Sequence, residues 1–377
     1  DARISLAQVR RAIVMSERPI DLMAVQMSGA SWHPVCYEYP DDDRRRINEL
    51  KRVGKFKAVT RMVRSVAPEI VIPYAGPPCF LDDELFEHNT GLRADGDPGI
   101  FPDQHDAVTW LRERLPTQRI EYLLPGDVLD LTDHHLERDP HWAGFRLDAG
   151  PEERRSYLEA YAERRRPAIA QVWADNPVPD DDATLAEDFR AHFESLGRLS
   201  QYFLAKAGLT VRFEVLGPGG GTWDAHVGPE RMWVDLGGTA ETVDYRLRLD
   251  GRWLAGVVRG RTRWEELLLS LRFTARREPD IYNDYLVGLL KHADLEALRA
   301  VEAYELTRRE NETITVRHRG RDVRVSRFCP HGTEDLAETG VVVDGVLRCL
   351  GHNFEFDLDT GACLNARCDP LKVTVDA

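Results

Sequence analysis

The chain has 377 residues, enough for two or three domains with their own cores, and carries 64 acidic against 50 basic side chains for a formal net charge of −14. That balance argues against a nucleic-acid partner, and no run approaches the roughly 20 apolar residues of a membrane span. Six scattered cysteines are poor material for a secreted disulfide scaffold, so the expected location is the cytoplasm.

The first readable pattern is an amphipathic helix over Leu6–Met15, which feeds an apolar strand over Ile20–Met27. A domain seldom begins in mid-pattern, so a preceding stretch is expected to be absent from this sequence. A loop Ser28-Gly-Ala-Ser-Trp-His33-Pro leads to a charged helix from about Asp42 to Val66 and a buried strand from Ile70. A polar excursion reaches Phe101-Pro-Asp103-Gln-His105, followed by a helix Ala107–Arg114 and a strand Ile120–Leu124. Strand and helix in turn predict an α/β portion, taken as residues 1–150. Residues 151–305 predict a helical and small-sheet α+β module. It contains a solvated helix from Glu152 to Arg166, a linker near Pro177–Ala183, and a helix Leu185–Ala207. Strands follow at Val211–Leu216, Met232–Leu236, Val243–Leu249 and Trp253–Val258, then helices Trp264–Phe273 and Ile281–His292. Gly217-Pro-Gly-Gly-Gly lacks the Lys-Ser/Thr of a phosphate-binding loop and reads as a turn.

The chemistry is concentrated in residues 306–377. Phe328-Cys329-Pro-His331-Gly is followed by Cys349-Leu-Gly-His352-Asn, so two short loops each deliver one thiol and one imidazole. This donor set suits a [2Fe–2S] cluster with both cysteines on one iron and both histidines on the other. Cys2His2 is also a tetrahedral zinc pattern, but Asn353-Phe-Glu-Phe-Asp-Leu alternates as a strand where a zinc finger would continue as a helix. With Phe356-Asp-Leu-Asp-Thr-Gly361 and Pro370-Leu371, the segment resembles the Rieske domain and is expected to be all-β. The cysteines that link the two loops in respiratory Rieske proteins have no counterpart here, where Thr333, Gly351 and Asn353 stand nearby. Cys363 and Cys368 read as apolar fillers.

The blocks Ser28-Gly-Ala-Ser-Trp-His-Pro, Ile72-Pro-Tyr-Ala-Gly and Trp264-Glu-Glu-Leu with Arg277-Glu-Pro-Asp-Ile-Tyr282 resemble the CMP-N-acetylneuraminate hydroxylase group. The resemblance implies a multidomain α+β protein that joins a metallo-β-lactamase-like α/β portion to the Rieske domain, although the Rieske unit is N-terminal in the named hydroxylase. Residues 180–300 also look like a sterol-carrier-like module. The His-x-His-x-Asp-His signature of the metallo-β-lactamase family is not found in the sequence. The resemblance implies a Rieske-dependent monooxygenase that draws electrons from a ferredoxin, cytochrome or flavin reductase and inserts oxygen from O2 into a polar small-molecule substrate. A mononuclear non-haem iron would need two histidines and a carboxylate, for which Asp103 and His105 are the candidates. His33 is a further histidine on a loop. The alternatives are an electron-transfer protein without an oxygenase site, and a metallo-β-lactamase-fold hydrolase with an accessory cluster.

Overall fold

A computed structural model describes residues 13, 18–28, 31–93, 96–180, 184–306, 312–330, 335–349, 354–365 and 368–375. Of the expected first helix only Ile13 falls among them. The chain divides into two units, Asp1–Asp175 and Asn176–Ala377.

In the first unit, β1 (Leu22–Gln26), β2 (Ile70–Tyr74) and β3 (Arg119–Ile120) form a parallel sheet in the order 1-2-3. Leu22 lies opposite Ile70, and Ile70 opposite Arg119. Parallel neighbours need crossover connections, and α1 (Asp41–Val66) and α2 (Gln104–Arg114) supply them. Asp41, Asp42 and Asp43 complement the positive end of the α1 dipole. The helix stops where Ala67 turns left-handed, at φ 49°, and Pro68 follows. Phe56, Val59, Val63 and Val66 face the sheet and pack with Met23, Val25, Val71, Val108 and Leu111. The expected strand Ile120–Leu124 pairs only at its start. A short ribbon of β4 (Val128–Leu129) and β5 (Leu136–Glu137) follows, then α3 (Pro151–Asp175). The α3 helix continues through Pro167 beyond its expected end, and Leu158 is its buried side chain, in keeping with a solvated helix.

The second unit contains a five-stranded sheet in the order β10-β9-β6-β7-β8, made of β6 (Thr210–Leu216), β7 (Gly221–Val227), β8 (Met232–Asp235), β9 (Tyr245–Asp250) and β10 (Thr274–Arg277). Pairing is antiparallel except between β6 and β9. The glycine-rich segment is the β6–β7 hairpin turn: Gly220 N–H donates to Gly217 O at 3.1 Å, and a Cβ on Gly220 would sit 2.3 Å from Val215 O. The expected helix Leu185–Ala207 is two helices, α4 (Thr184–Leu196) and α5 (Gln201–Ala207), because Ser200 caps a new start by accepting from Phe203 N–H at 3.3 Å. Trp253–Val258 is helical and not a strand, as part of α6 (Gly251–Val258). Asp250 accepts from Arg252 N–H at 2.8 Å and so starts a helix in a run whose apolar residues carry no strand-like alternation. After α7 (Trp264–Leu269) come α8 (Asp284–His292) and α9 (Leu295–Leu306). Phe189, Phe193, Phe213, Trp223 and Trp264 form an aromatic core, with Phe189 and Phe193 at 4.6 Å between ring centroids.

Glu305 ties three of these helices together. One of its carboxylate oxygens accepts from Tyr202 OH at 2.6 Å and from Tyr285 OH at 3.0 Å. Burial, reinforced by Glu305, pushes the Tyr202 phenol up to about 12, and burial raises Tyr285 as well. The native state therefore keeps phenol protons that the unfolded chain sheds near pH 10. Stability from this group is present below that value and lost as pH rises toward about 12. Glu305→Ala should lower unfolding free energy by about 2 kcal/mol at neutral pH and flatten the alkaline loss. Urea midpoints measured from pH 7 to 11 check this, and a variant with an unchanged midpoint and pH slope would contradict it.

The chain ends in two small antiparallel sheets. β11 (Thr313–His318), β12 (Arg321–Ser326) and β16 (Val373–Val375) form one; β13 (Gly340–Val343), β14 (Val346–Cys349) and β15 (Glu355–Asp357) form the other, with the one-turn helix α10 (Leu336–Thr339) leading into β13. Their shared core holds Val323, Val325, Leu347, Phe354, Phe356, Leu358 and Leu371, and Ile281 from the preceding module packs into it. Tyr245 OH fixes the Ile281 segment, donating to Ile281 O at 2.6 Å and accepting from Asn283 N–H at 2.7 Å. No helix among the described residues is long and apolar enough to cross a membrane.

Candidate metal centre

Cys329 follows β12 and Cys349 ends β14, and both are buried in the same apolar core, at 2 % and 0 % exposure. Each stands at the closed base of a loop. Around the first loop, Leu336 N–H donates to Arg327 O at 2.8 Å and Phe328 bridges Asp335. Arg327 donates through Nε and one terminal nitrogen to a single oxygen of Asp335, at 3.0 and 2.8 Å, while its other terminal nitrogen reaches Glu312 at 3.1 Å. The Asp335 hydrogen bond holds the Arg327 guanidinium above its ordinary pKa. Asp335 also starts α10 by accepting from Ala337 N–H at 2.9 Å. Around the second loop, Cys349 N–H donates to Phe354 O at 2.9 Å and Arg348 pairs with Glu355.

A turn supports the far side. Asp357 accepts from Asp359 N–H at 3.0 Å and from the Thr360 N–H and hydroxyl at 2.7 and 2.8 Å. Gly361 has φ 76°, and a Cβ there would lie 2.0 Å from Leu371 O, so only glycine lets the Leu371 backbone close on the turn. Neither this packing nor the Arg327–Asp335–Glu312 bracket is among the expected site residues. Asp335 before an apolar turn is a readable helix-cap signal; its pairing with Arg327 is a tertiary feature.

His331 and His352 lie outside the described residues. The fit to a cluster rests on the two thiols: water-excluded sulfurs from separate loops in one core, as soft thiolate donors require. Cys363 and Cys368 sit at the edge of that core as partly buried residues. Burial, with Cys363 alongside, pushes the Cys368 thiol up to about 12. An apolar filler and not a thiolate is what that predicts. Cys363→Ser and Cys368→Ser should keep the full visible absorption of the protein; bleaching by either would put a third cysteine in the ligand set.

The second-metal candidates stand elsewhere. Asp103 caps α2 by accepting from Asp106 N–H at 2.8 Å and pairs with Arg154. His105 is exposed on the first turn of the same helix. His33 meets the Tyr39 hydroxyl at 2.9 Å. Among the described residues no group of three or more His, Cys, Asp or Glu is placed to hold a metal ion.

Residues 289–374 match the family model of the Rieske [2Fe-2S] domain. The chain is 28% identical over 364 residues to a protein of Mycolicibacterium smegmatis named "Putative Rieske 2Fe-2S iron-sulfur protein", covering 94% of this chain and 67% of the relative. It is 36% identical over 69 residues to the ferredoxin component of an alkene monooxygenase system of Xanthobacter autotrophicus, covering 17% of this chain and 57% of that protein. Among solved structures, Sterol Carrier Protein 2 from Yarrowia lipolytica (apo form) aligns with 23% of this chain and 80% of its own, at 18% identity and a TM-score of 0.19, which carries no argument about fold. The C-terminal domain is of the Rieske [2Fe–2S] type, and a Rieske cluster is its cofactor.

Proposed function

We propose, from the premise of a C-terminal Rieske domain, that Cys329 and Cys349 hold one iron and His331 and His352 the other. The domain serves a hydroxylase or monooxygenase reaction, with a ferredoxin, cytochrome or flavin reductase as electron donor and O2 and a small molecule as the other reactants. The observation that carries this reading is the pair of water-excluded cysteines at the bases of two loops in one β core. When bound, the cluster supplies one-electron redox chemistry. The chain's own part is to keep solvent from the sulfurs, through Phe354, Phe356 and Leu371, and to hold the loop bases through Arg327, Asp335 and the Cys349 N–H.

The blocks at Ser28, Ile72 and Trp264 support the hydroxylase reading and, with it, a metallo-β-lactamase-like assignment for the N-terminal portion. The similarity to a monooxygenase ferredoxin component favours a second reading, an electron carrier that acts on a separate oxygenase. Metal analysis joined to reductant-driven oxygen uptake separates them. An oxygenase holds iron beyond the cluster pair and consumes oxygen with substrate; iron for the cluster alone, with no uptake, would overturn the first reading in favour of the carrier.

A further inference from the structure

The first unit encloses a cavity of about 750 Å3, within the roughly 300–1,000 Å3 range of small-molecule sites. It lies past the carboxyl end of β2, on the side of a parallel sheet where open α/β sheets bind ligands. Gly76 and Pro77, just past the end of β2, line it, and Asp103 marks the start of α2. The opposite wall comes from residues 141–149 and from α3.

That wall is aromatic. Trp142 meets Phe145 edge-on at 5.6 Å, and Phe145 meets Tyr157 at 6.3 Å. Phe145 and Tyr157 remain 39% and 43% exposed, so these rings line the concavity without filling the core. The charged groups at the wall are mostly matched. Asp103 is engaged by Arg154, which also donates to Thr90 O at 3.1 Å. Arg146 pairs with Asp148, and Glu153 adds to the negative field around it. Arg164 differs: its guanidinium lies 5.4 Å from the Tyr161 ring centre and makes no ion pair among the described residues.

The geometry points to a binding site for an amphipathic monocarboxylic acid, with an aromatic or alicyclic body against Trp142, Phe145 and Tyr157 and its carboxylate at Arg164. In an apolar lining whose charges without an ion pair are Arg164 and Glu153, Arg164 can take a single anionic end while Glu153 disfavours a polyanion. Binding of such an acid is independent of the redox reading, since no residue of the second unit enters it; only its being the molecule that oxygen chemistry acts on rests on that reading.

The test uses the full-length protein as isolated, without an electron donor, and two probes with one body: 1-pyrenebutyrate and the uncharged 1-pyrenebutanol. Affinity is read by calorimetry. Occupancy is read by iodoacetamide alkylation of Cys79, an exposed cysteine that lines the cavity, followed by mass spectrometry. Pyrenebutyrate should bind more tightly than pyrenebutanol and shield Cys79. Phe145→Ala and Tyr157→Ala should each weaken both probes about tenfold, and their exposed rings can be truncated without opening the core. Arg164→Ala should weaken pyrenebutyrate about fivefold and leave pyrenebutanol unchanged. Absence of binding, equal affinity for the two probes, or undiminished Cys79 alkylation at saturation would each overturn the inference. Iron content, recorded on the same samples, reports on the redox reading separately.

Discussion

Cys349→Ser protein should purify colourless and without cluster iron. The side chain is fully buried among Leu347, Phe354 and Phe356, and a serine hydroxyl there is a poor iron donor in place of a soft thiolate. The effect should extend beyond colour. A small β domain whose metal closes its loops takes part of its stability from that metal, so the 312–375 segment should become protease-sensitive while Asp1–Asp175 stays resistant. Cys329→Ser should behave alike, since Cys329 is buried in the same core at 2% exposure. Iron analysis and limited proteolysis check both. Full iron retention in either variant would remove that cysteine from the ligand set.

Arg212→Ala should destabilise the five-stranded sheet by about 3 kcal/mol, because it leaves a buried carboxylate unmatched. Asp224 is fully buried on β7 opposite Arg212 on β6, and the pair is bidentate at 2.7 and 2.8 Å. Ala240 N–H donates to the same carboxylate at 2.9 Å, and Arg212 also donates to Gly238 O and Ala240 O. Burial alone would raise the Asp224 pKa, but the Arg212 and Ala240 donors outweigh it and hold the group below its ordinary value. A depressed folded value means that the stability from this pair is present above the unfolded value of about 4 and is lost as pH falls toward the folded one. Urea midpoints at pH 7 and through the acid limb should show a large wild-type advantage at neutral pH that shrinks on acidification. Replacing both residues with leucine should cost far less than Arg212→Ala alone; equal costs would show that the charge pair is not the cause.

The same pair shows why β7 is hard to read in the sequence. Trp223, Asp224 and Ala225 are all buried, because one face of the strand meets the aromatic core and the other is covered by the Gly238–Ala240 segment that Arg212 holds down. A strand covered on both faces loses its alternation. Trp253–Val258 illustrates the converse: a short buried run fits strand or helix equally well by periodicity, and the Asp250 cap decides for the helix. The Rieske-type segment, by contrast, is legible because its cysteines and histidines sit two and three residues apart in a pattern that few other sites use, and the family match falls on it. What holds its loops is not, since Glu312, Arg327 and Asp335 meet only in the folded domain. The aromatic cavity was hidden for a similar reason: Gly76, Phe145 and Tyr157 are far apart in sequence and carry no motif.

The central claim, a cluster held by two cysteines and two histidines, is tested most directly by pulsed electron paramagnetic resonance of the reduced protein with 15N-labelled histidine. Couplings to two histidine nitrogens should be resolved in wild type, with an average g below that of all-cysteine clusters, and one coupling or the whole signal should vanish in His331→Cys and in His352→Cys. A reduced wild-type cluster with no histidine nitrogen coupling, or a colourless protein replete with zinc, would contradict the account.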